Sequence, residues 1–444
     1  MALETPTYPK FFHKIYQKGQ FYGRIAWLPF GDQKNVLSRQ MLEGLIMTQA
    51  FEGITILDFT QVFAGPFAAM QLALLGAEVI KIEQPITGDQ TRNLMSADEK
   101  ALSPAFLAMN VNKKSLTLNL KSDQAKEIVR KLIINADVVI ENFKAGTMTK
   151  LGLDYTTLKE LKPDLIYCSI TGYGQQGPKA GEGAYDGAIQ AASGMMSQNG
   201  HNETGPTRTG FMPVDMATAL NAAFSIAASL HRKSTTGQGQ YIDVAMLDTA
   251  IVVQAAQFSN YFNQGRILGL MGNVSPTGQP TANVFATKDG FIQITALRQN
   301  QVEKLFEALG TSEDLKRPEF IDPSSRAKNA HQVHDYLTEK LKQKNTLEWL
   351  DDLARRGIPV AEIRDLPQVI ADPQLQHREV FASMASPNQP DKEIKVVKAG
   401  YMAFPDGPKA NTAPPLLGAD TRKILIELGY SESDYAELKS SGVI

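Results

Sequence analysis

A strand–turn–helix–strand pattern at residues 53–85 constrains the fold of this chain more than any other stretch. Residues 53–59 form a short apolar run with β-branched side chains, which is typical of a buried strand. A turn that ends in Gly-Pro then leads into an apolar helix predicted at residues 67–75, because proline suits the first turn of a helix. A second apolar strand is predicted at residues 77–82. A βαβ unit completed in about 30 residues indicates a parallel sheet.

Ligands of such a sheet bind beyond the carboxyl ends of its strands. In this unit that edge comprises residues 60–66 and 83–85. Glu83 ends the second strand, where a dinucleotide-binding unit has its ribose ligand. The preceding turn, however, carries only Gly65 and lacks the G-x-G-x-x-G fingerprint. We therefore interpret Glu83 as a solvated strand end.

Strands and helices continue to alternate after this unit. Strands are predicted at 115–120, 136–141, 165–170 and 240–244, and helices at 123–135, from 154 or 156 to 161, and at 185–193, 215–233 and 247–262. This alternation predicts an α/β fold, in which a Rossmann-like large domain is built on a parallel sheet. The helix at 215–233 should be buried, because nearly every face of it is apolar or small.

The alternation of predicted strands and helices ends near residue 276. A hairpin is predicted at 283–296, followed by helices at 299–309, 325–342 and 346–356. These elements predict a smaller α+β domain beside the large one.

Composition and charge exclude several classes of protein. The chain is 43% hydrophobic and 21% charged, as in a globular protein, and its formal charge of −2 gives no basic surface for nucleic acid. No apolar run reaches the roughly 18–20 residues that span a bilayer, and the start lacks the apolar core of a signal peptide. We therefore predict a cytoplasmic protein.

Cys168, the single cysteine, is expected to be a buried, inert thiol. His331 and His334 have no third ligand nearby, so no metal site is predicted.

Three motifs resemble those of the class III CoA-transferases, in the order that this family has them. They are Asp-Phe-Thr-Gln-Val-Phe-Ala-Gly-Pro at 58–66, Leu-Gly-Ala-Glu-Val-Ile-Lys-Ile-Glu at 75–83 and Gly-Asp-Gln-Thr-Arg at 88–92. The resemblance runs from about Phe51 to the C-terminus. The family contains the formyl-CoA:oxalate and carnitine CoA-transferases, with the α-methylacyl-CoA racemases as close relatives. It implies an acyl-CoA and a free carboxylic acid as substrates, no cofactor, and an interlocked homodimer with the site at the subunit interface.

The domain boundaries follow partly from this resemblance. We assign residues 47–272 to the large domain and 273–372 to the small α+β domain. Residues 373–444 are expected to return to the large domain, because Pro-Pro-Leu-Leu-Gly-Ala-Asp-Thr at 414–421 looks like the family's final motif. Residues 1–46 show no capping box or amphipathic run, so we interpret them as an extension that is not native or is poorly ordered. The alternative is an arm that packs on a partner.

Asp215 stands at the start of the small-residue helix. From the residues alone, it is best explained as a plain helix N-cap. A carboxylate at the N-terminus of a buried helix would also be kept ionised by the helix dipole and by free N–H groups. The resemblance places the family's catalytic aspartate at this position. We therefore predict that Asp215 is the nucleophile, which would form a covalent aspartyl intermediate.

The resemblance also implies a set of contacts with coenzyme A. The residues are Val62, Phe63, Ala64, Gln84, Leu118, Lys121, Asn142, Phe143, Lys144, Lys150 and Tyr185. The three lysines would bind phosphates, and solvated surface positions are the alternative explanation for each. Gln84 and Lys150 depart from the formyl-CoA:oxalate enzyme, which has arginine at both positions. A lysine binds phosphate as a point charge and lacks the bidentate fork of arginine.

The pair Tyr185-Asp186 discriminates between two activities. The racemases have a catalytic histidine followed by aspartate here, because they need an acid and a base on opposite faces of the α-carbon. The transferases have tyrosine, so Tyr185 favours a transferase, although core packing would also explain it. Asp186 keeps a racemase open as an alternative, and a non-catalytic CoA-binding homologue is a third. The glycine-rich segments 172–183 and 269–278 are both candidates for a lid.

Overall fold

The core of the fold is a parallel β-sheet. This computed structural model describes residues 49–94 and 102–444, so the proposed extension at 1–46 lies outside the described residues. The first eight strands are β1 (Thr55–Asp58), β2 (Glu78–Glu83), β3 (Lys113–Thr117), β4 (Val138–Glu141), β5 (Ile166–Thr171), β6 (Gly200–His201), β7 (Gly205–Pro206) and β8 (Gln240–Ala245). In the described part, six of them form a sheet ordered β3-β2-β1-β4-β5-β8, in which all neighbours are parallel. This is a doubly wound order, which confirms the Rossmann-like α/β fold.

Helices connect these strands, and β6 and β7 form a separate short hairpin. The helices are α1 (Ala64–Ala73), α2 (Pro104–Met109), α3 (Asp123–Asn135), α4 (Thr147–Leu151), α5 (Tyr155–Leu161), α6 (Asp186–Ala192), α7 (Met195–Gln198), α8 (Pro213–Thr236), α9 (Met246–Val253) and α10 (Ala255–Gln264). A 3-10 turn at Gln90–Asn93 follows β2. The predicted strands of this part are present with shifted ends, and so are its predicted helices apart from the one at 247–262.

The segment after α10 contains a second, antiparallel sheet, ordered β11-β10-β9. Its elements are β9 (Ala282–Ala286), β10 (Phe291–Thr295), α11 (Gln299–Ala308), a 3-10 turn (Ser312–Lys316), α12 (Pro323–Lys328), α13 (Ala330–Leu341), α14 (Thr346–Arg355) and β11 (Val360–Glu362). They enclose their own core around Phe306 and Trp349. The chain then continues through α15 (Leu366–Ile370), α16 (Pro373–His377), β12 (Phe381–Ala385), β13 (Glu393–Val397), α17 (Thr421–Glu427) and α18 (Glu432–Ser440). The domain boundaries given above remain predictions.

Helices cover both faces of the parallel sheet. Ile56 packs with α1 and α8 on one face, whereas its neighbour Leu57 packs with α3 on the other, because successive strand residues point to opposite sides. Ile424 of α17 and Leu438 of α18 also contribute to the α3 face. The end of the chain therefore packs on the same sheet as its first strands.

Three helix predictions need correction. The predicted helix at 247–262 is broken at Gln254, whose side-chain amide donates to the carbonyls of Ser193 and Ala250. The predicted helix at 325–342 is likewise two helices, separated at Asn329. The third, α8, is not buried on every face.

One face of α8 is buried and the other is exposed. Ala219, Ala222 and Ile226 on the buried face pack in the same cluster as α1 and the sheet. Two large apolar side chains remain uncovered in the single chain, since Phe224 is 73% exposed and Leu220 is 54% exposed.

Candidate active site

A cavity of about 540 Å³ opens beyond the carboxyl ends of β1 and β4. The strand order reverses between these two strands, which is where open parallel sheets bind their ligands. The cavity is lined by residues 61–64 after β1, 142–145 after β4, 170–174 and 181–185 around the end of β5, and by Gln90, Asp215 and Met246. The cavity therefore includes residues 61–64 of the predicted ligand edge, whereas residues 83–85 do not line it.

Asp215 lies on the wall of this cavity as the third residue of α8. The side chain is half-buried, and no hydrogen bond or ion pair joins its carboxylate to another described residue. Burial and the negative charge of Asp186 raise the pKa of this carboxyl to about 7. The expectation that free N–H groups at the helix start stabilise its anion is wrong, because Asp186 accepts from those of Val214 and Asp215. The N-cap interpretation is also wrong, because Met212 occupies the N-cap position.

The N-terminus of α8 is capped by a different carboxylate, that of Asp186 at the start of α6. One oxygen, Oδ2, accepts from the backbone N–H of Val214 at 2.8 Å and from that of Asp215 at 3.0 Å. The other, Oδ1, accepts from the side-chain amide of Gln190 at 2.5 Å. Asp186 is buried and is not among the residues that line the cavity. Its hydrogen-bonding capacity is therefore directed to the protein rather than to a ligand.

The turn after β1 is held in shape by two buried charges. Lys81 and Asp89 form an ion pair at 2.9 Å, and both side chains are fully buried. Lys81 Nζ donates to the carbonyl of Thr60 at 2.6 Å, while Asp89 Oδ1 accepts from the backbone N–H of Val62 at 3.2 Å. Val62 has a φ of +72°, which is rare for a β-branched residue and marks a constrained backbone. The pair therefore fixes the segment that forms one wall of the cavity.

A second buried pair lies close enough to the first for Lys81 to act on its carboxylate, Asp58. Lys113 Nζ is 2.8 Å from Asp58 Oδ2 and also donates to the carbonyl of Pro66 at 2.9 Å. Burial lowers the pKa of Lys113 to about 8, although Asp58 opposes this effect. Sequence reasoning missed both pairs. The available signal was a lysine at a core position of each strand, Lys81 in Val-Ile-Lys-Ile and Lys113 at the start of β3.

Glu83 is buried, so the interpretation of a solvated strand end is wrong. Its carboxylate receives two N–H groups of Arg92, the hydroxyl of Ser115 and the backbone N–H of Asp89. These four donors saturate both oxygens, which leaves none for a ribose. The acid and the arginine of the Gly-Asp-Gln-Thr-Arg motif therefore belong to the framework of the site.

Seven of the predicted coenzyme A contacts line the cavity together with Asp215. They are Val62, Phe63, Ala64, Asn142, Phe143, Lys144 and Tyr185. Asn142 also joins the two strand ends, since its side-chain amide exchanges two hydrogen bonds with the backbone of Gln61, both at 2.8 Å. Of the described residues that line the cavity, Lys144 is the only cation. An anionic group of a ligand would therefore find its charge partner there.

The other four predicted contacts lie outside this cavity lining. Gln84, Lys121 and Lys150 are exposed at or after the carboxyl ends of β2, β3 and β4. The side chain of Leu118 is 1% exposed and packs in the core, so any contact with a ligand would have to come from its backbone. These four positions remain predictions.

Several other expectations concern the surroundings of Asp215. Tyr185 is 71% exposed, which excludes core packing as its role in the single chain. The glycine-rich segment 172–183 contributes both of its ends to the cavity, whereas residues 270–274 line a different one.

Cys168 is fully buried, as predicted, and burial raises the pKa of its thiol. In the described residues, no cluster of His, Cys, Asp or Glu could hold a metal ion, and no helix there is long and apolar enough to cross a bilayer.

Comparisons with known proteins agree with this geometry. Residues 51–421 match the model of CoA-transferase family III. The chain is 36% identical to the human succinyl-CoA:glutarate CoA-transferase, over 96% of this chain and 94% of that protein. It is 34% identical to the succinyl-CoA:mesaconate CoA-transferase of Haloarcula marismortui, over 86% of this chain and 96% of that protein.

A solved structure extends the likeness to three dimensions. The crystal structure of a CAIB/BAIF family protein from Brucella suis covers 86% of this chain and all of its own, with 33% identity and a TM-score of 0.77. The family match spans the parallel sheet, the cavity and Asp215 alike. The chain therefore belongs to CoA-transferase family III.

Proposed function

We propose that this enzyme moves CoA from an acyl-CoA donor to a free carboxylic acid through a covalent intermediate on Asp215. The observation that carries the proposal is an unpartnered, half-buried carboxylate on the wall of the cavity at the switch point of the sheet. A carboxylate without hydrogen-bond donors retains its nucleophilicity. Its partly desolvated position also favours attack on a neutral carbonyl carbon.

The reaction needs four exchanges of an acyl group. Asp215 attacks the thioester carbonyl of the donor, the C–S bond breaks, and a mixed anhydride and CoA thiolate form. The thiolate then attacks the aspartyl carbonyl of the anhydride, whose C–O bond breaks to release the donor acid and leave an aspartyl-CoA thioester. The acceptor carboxylate attacks this thioester to give a new anhydride and thiolate. Finally, the thiolate attacks the acceptor's carbonyl, which yields the new acyl-CoA and regenerates Asp215.

The protein's part in this scheme is to position groups and to limit water. Residues 61–64 and 142–145 form the wall expected to hold coenzyme A, because the sheet ends there and the backbone is fixed by Lys81, Asp89 and Asn142. Segment 172–183 borders the cavity beside Asp215 and is our choice for the lid. Every exchange is between acyl groups of similar energy, so the scheme requires no cofactor.

Dicarboxylic acids are the substrate class that we propose. The human and Haloarcula relatives are named for succinyl-CoA with glutarate or mesaconate, and all three acids carry two carboxyl groups. Lys144, the cation of the cavity lining among the described residues, could pair with the carboxylate that does not react or with a phosphate of coenzyme A. We also propose a cytosolic enzyme that does not act on nucleic acid, in line with its buried thiol and its net charge of −2.

The racemase alternative is less well supported. A racemase base at Asp186 would have to face the substrate, but this carboxylate is buried and accepts three hydrogen bonds from the protein. Tyr185 stands where the racemases have their histidine, and it lines the cavity. A non-catalytic binding role leaves the position of the unpartnered Asp215 without an explanation.

A label on the acceptor tests the covalent intermediate. When the acceptor acid carries heavy oxygen in its carboxylate, the scheme leaves one of these oxygens on Asp215 after a full cycle. Mass spectrometry of the peptide that contains Asp215 should therefore find heavy oxygen, and only when acyl-CoA is also present. An active enzyme whose Asp215 peptide stays unlabelled would contradict the covalent route.

The pKa of Asp215 predicts the pH dependence of the reaction. The nucleophile must be ionised, and its pKa is raised to about 7 by burial and then by Asp186. Activity should therefore rise with pH up to a plateau above pH 7 and fall about tenfold per pH unit below it, since one ionisation controls the rate. Measurement of kcat/KM against pH checks this. A profile that stays flat down to about pH 5 would mean that Asp215 has an ordinary pKa or no role.

We further propose that the enzyme is a homodimer. Apolar side chains are exposed on three consecutive helices, including Phe224 of α8, Val252 of α9 and Phe262 of α10. Large apolar side chains exposed on neighbouring helices are typical of subunit interfaces. Light scattering should give twice the chain mass of 48.6 kDa, and Phe224→Asp should shift the protein towards monomer. Ile134→Asp, an exposed apolar position on α3, should leave the mass unchanged. A monomeric wild-type protein at micromolar concentration would refute the proposal.

A further inference from the structure

The geometry at the start of α8 points to a role for Asp186 in the reaction. We propose that Asp186 is a positioning residue, which occupies the N–H groups of the first turn of α8 and thereby keeps the Asp215 carboxylate free to act as the nucleophile. This inference rests on the proposed role of Asp215. It gives Asp186 a function other than that of a base.

Backbone N–H groups at the start of a helix favour a carboxylate as their hydrogen-bond partner. The first turn has backbone donors without partners inside the helix, and an acidic side chain within that turn is a favoured partner for them. Asp215 is in the first turn of α8 and would ordinarily satisfy these donors itself. A carboxylate engaged in that way would be stabilised as an anion and directed away from a substrate.

In this structure the donors are already taken. Asp186 Oδ2 lies 2.8 Å from the backbone nitrogen of Val214 and 3.0 Å from that of Asp215. The carboxylate of Asp215 makes no hydrogen bond with another described residue and faces the cavity instead. The capping carboxylate and the reactive carboxylate are therefore two different side chains.

The position of Asp186 is itself fixed by a chain of buried hydrogen bonds. Asp186 is 5% exposed, and its Oδ1 accepts from the side-chain amide of Gln190, one turn along α6. The amide oxygen of Gln190 in turn accepts from the backbone N–H of Thr209, in the loop that leads to α8. The chain connects α6, this loop and α8, so a shift of Asp186 would move the turn that carries Asp215.

Asp186 is also the charged group that acts on Asp215 from the surrounding elements. Several charged or titratable groups lie on the elements packed against α8, namely Asp186 of α6, Asp248 of α9, Tyr241 and Asp243 of β8, and Tyr167 and Cys168 of β5. The loop before α8 adds Arg208, and the cavity lining adds Lys144, Tyr173, Glu182 and Tyr185. Helix α1 has none. Burial is the largest cause of the raised pKa of Asp215, and Asp186 is the one charge among these groups that raises it further. Removal of its charge should therefore alter the pH profile, which the loss of an ordinary cap would not do.

Two substitutions separate position from charge. Asp186→Asn keeps an oxygen that can accept from both N–H groups, but it removes the charge and the acceptor of the Gln190 amide. Its kcat above pH 7 should stay within about tenfold of wild type. The acidic limb of its pH profile, where activity falls with decreasing pH, should move to lower pH by roughly half a unit to one unit. Asp186→Ala frees the N–H groups for Asp215. Its kcat should fall roughly 100-fold, the cost of a misplaced reacting group, with the limb displaced at least as far.

Asp154 provides the matched control. Its carboxylate also accepts from two backbone N–H groups at a helix start, those of Thr156 and Thr157 at 3.1 and 3.2 Å. It caps its own helix, α5, away from the cavity. Asp154→Ala and Asp154→Asn should leave both kcat and the acidic limb unchanged in the full-length protein. Thermal unfolding of all four variants confirms that each one is folded at the assay temperature.

The outcomes distinguish this inference from the proposed function. If Asp186→Asn leaves the acidic limb in place and Asp186→Ala costs no more activity than Asp154→Ala, Asp186 is an ordinary cap and the inference fails. If Asp215→Ala retains wild-type activity, the proposed function itself fails. A folded Asp186→Asn variant that loses activity at all pH values to the same extent as Asp215→Ala would overturn the inference too, since it would indicate a direct chemical role.

Discussion

Asp215→Ala is expected to abolish CoA transfer, with kcat reduced at least about a thousandfold, because removal of a covalent nucleophile leaves only substrate binding and electrostatic effects. The affinity for acyl-CoA should change little, since the cavity walls at 61–64 and 142–145 do not depend on this side chain. Steady-state kinetics measures the first effect and calorimetric titration with acyl-CoA the second. Asp215→Asn should behave in the same way, because it keeps the shape of the side chain and removes the nucleophilic oxygen.

The same substitutions should stabilise the folded protein. Burial raises the pKa of Asp215 to about 7, so the ionised form is less favourable in the folded state than in the unfolded chain. That penalty appears as the pH rises through the unfolded pKa of about 4 and grows until about pH 7. Asp215→Asn should therefore unfold at a higher temperature than wild type at pH 8. An inactive variant that is also less stable would indicate damage to the fold rather than loss of the nucleophile.

Lys81→Met is expected to have the largest effect on stability. Lys81 is fully buried, pairs with Asp89 at 2.9 Å and donates to the carbonyl of Thr60 at 2.6 Å. Its removal leaves the Asp89 carboxylate buried without its cation, and the loss of one partner of a buried pair costs roughly 3–5 kcal/mol. Chemical denaturation should report a fall of this size in the free energy of unfolding. The KM for acyl-CoA should rise as well, because Thr60 and Val62 flank the cavity wall.

Lys114→Met is the matched control for this experiment. Lys114 is on strand β3 and pairs with Glu78 of β2, but both side chains are partly exposed. A pair at the surface contributes at most about 1 kcal/mol. If Lys81→Met costs no more than Lys114→Met, the buried pair does not support the turn and the structural account of this wall is wrong.

Local pattern was sufficient to predict the architecture. The apolar β-branched runs located β1, β2, β4 and β5, because a strand buried on both faces has a continuous apolar signature. An alternating run located β3, and the glycine-marked turn before residue 240 located β8. Asp123–Asn135 was predicted with its observed ends, since polar residues flank its apolar positions on both sides. The βαβ unit also indicated which edge of the sheet would bind a ligand. Residues 61–64 of that edge and Asp215 line the same cavity.

The interactions that shape the site were not readable from local pattern. Asp186 and the helix turn that it caps are 28 residues apart in the chain, and Lys113 and Asp58 are 55 residues apart, so only the folded chain brings them together. For the same reason Glu83 was misread: its partners Arg92 and Ser115 come from different elements. The cap of α8 was also predicted wrongly, because Asp186 of another helix accepts from the N–H groups that Asp215 was expected to bind.

A single assay in deuterium oxide distinguishes CoA transfer from racemisation. The purified protein is mixed with succinyl-CoA and each of a panel of dicarboxylic acids, and with a branched acyl-CoA alone, and the products are identified by mass spectrometry. The account predicts a new acyl-CoA, formed from the added acid, that carries no deuterium at its α-carbon. Deuterium at the α-carbon of an otherwise unchanged acyl-CoA, with no transfer to any acid, would contradict it and identify a racemase instead.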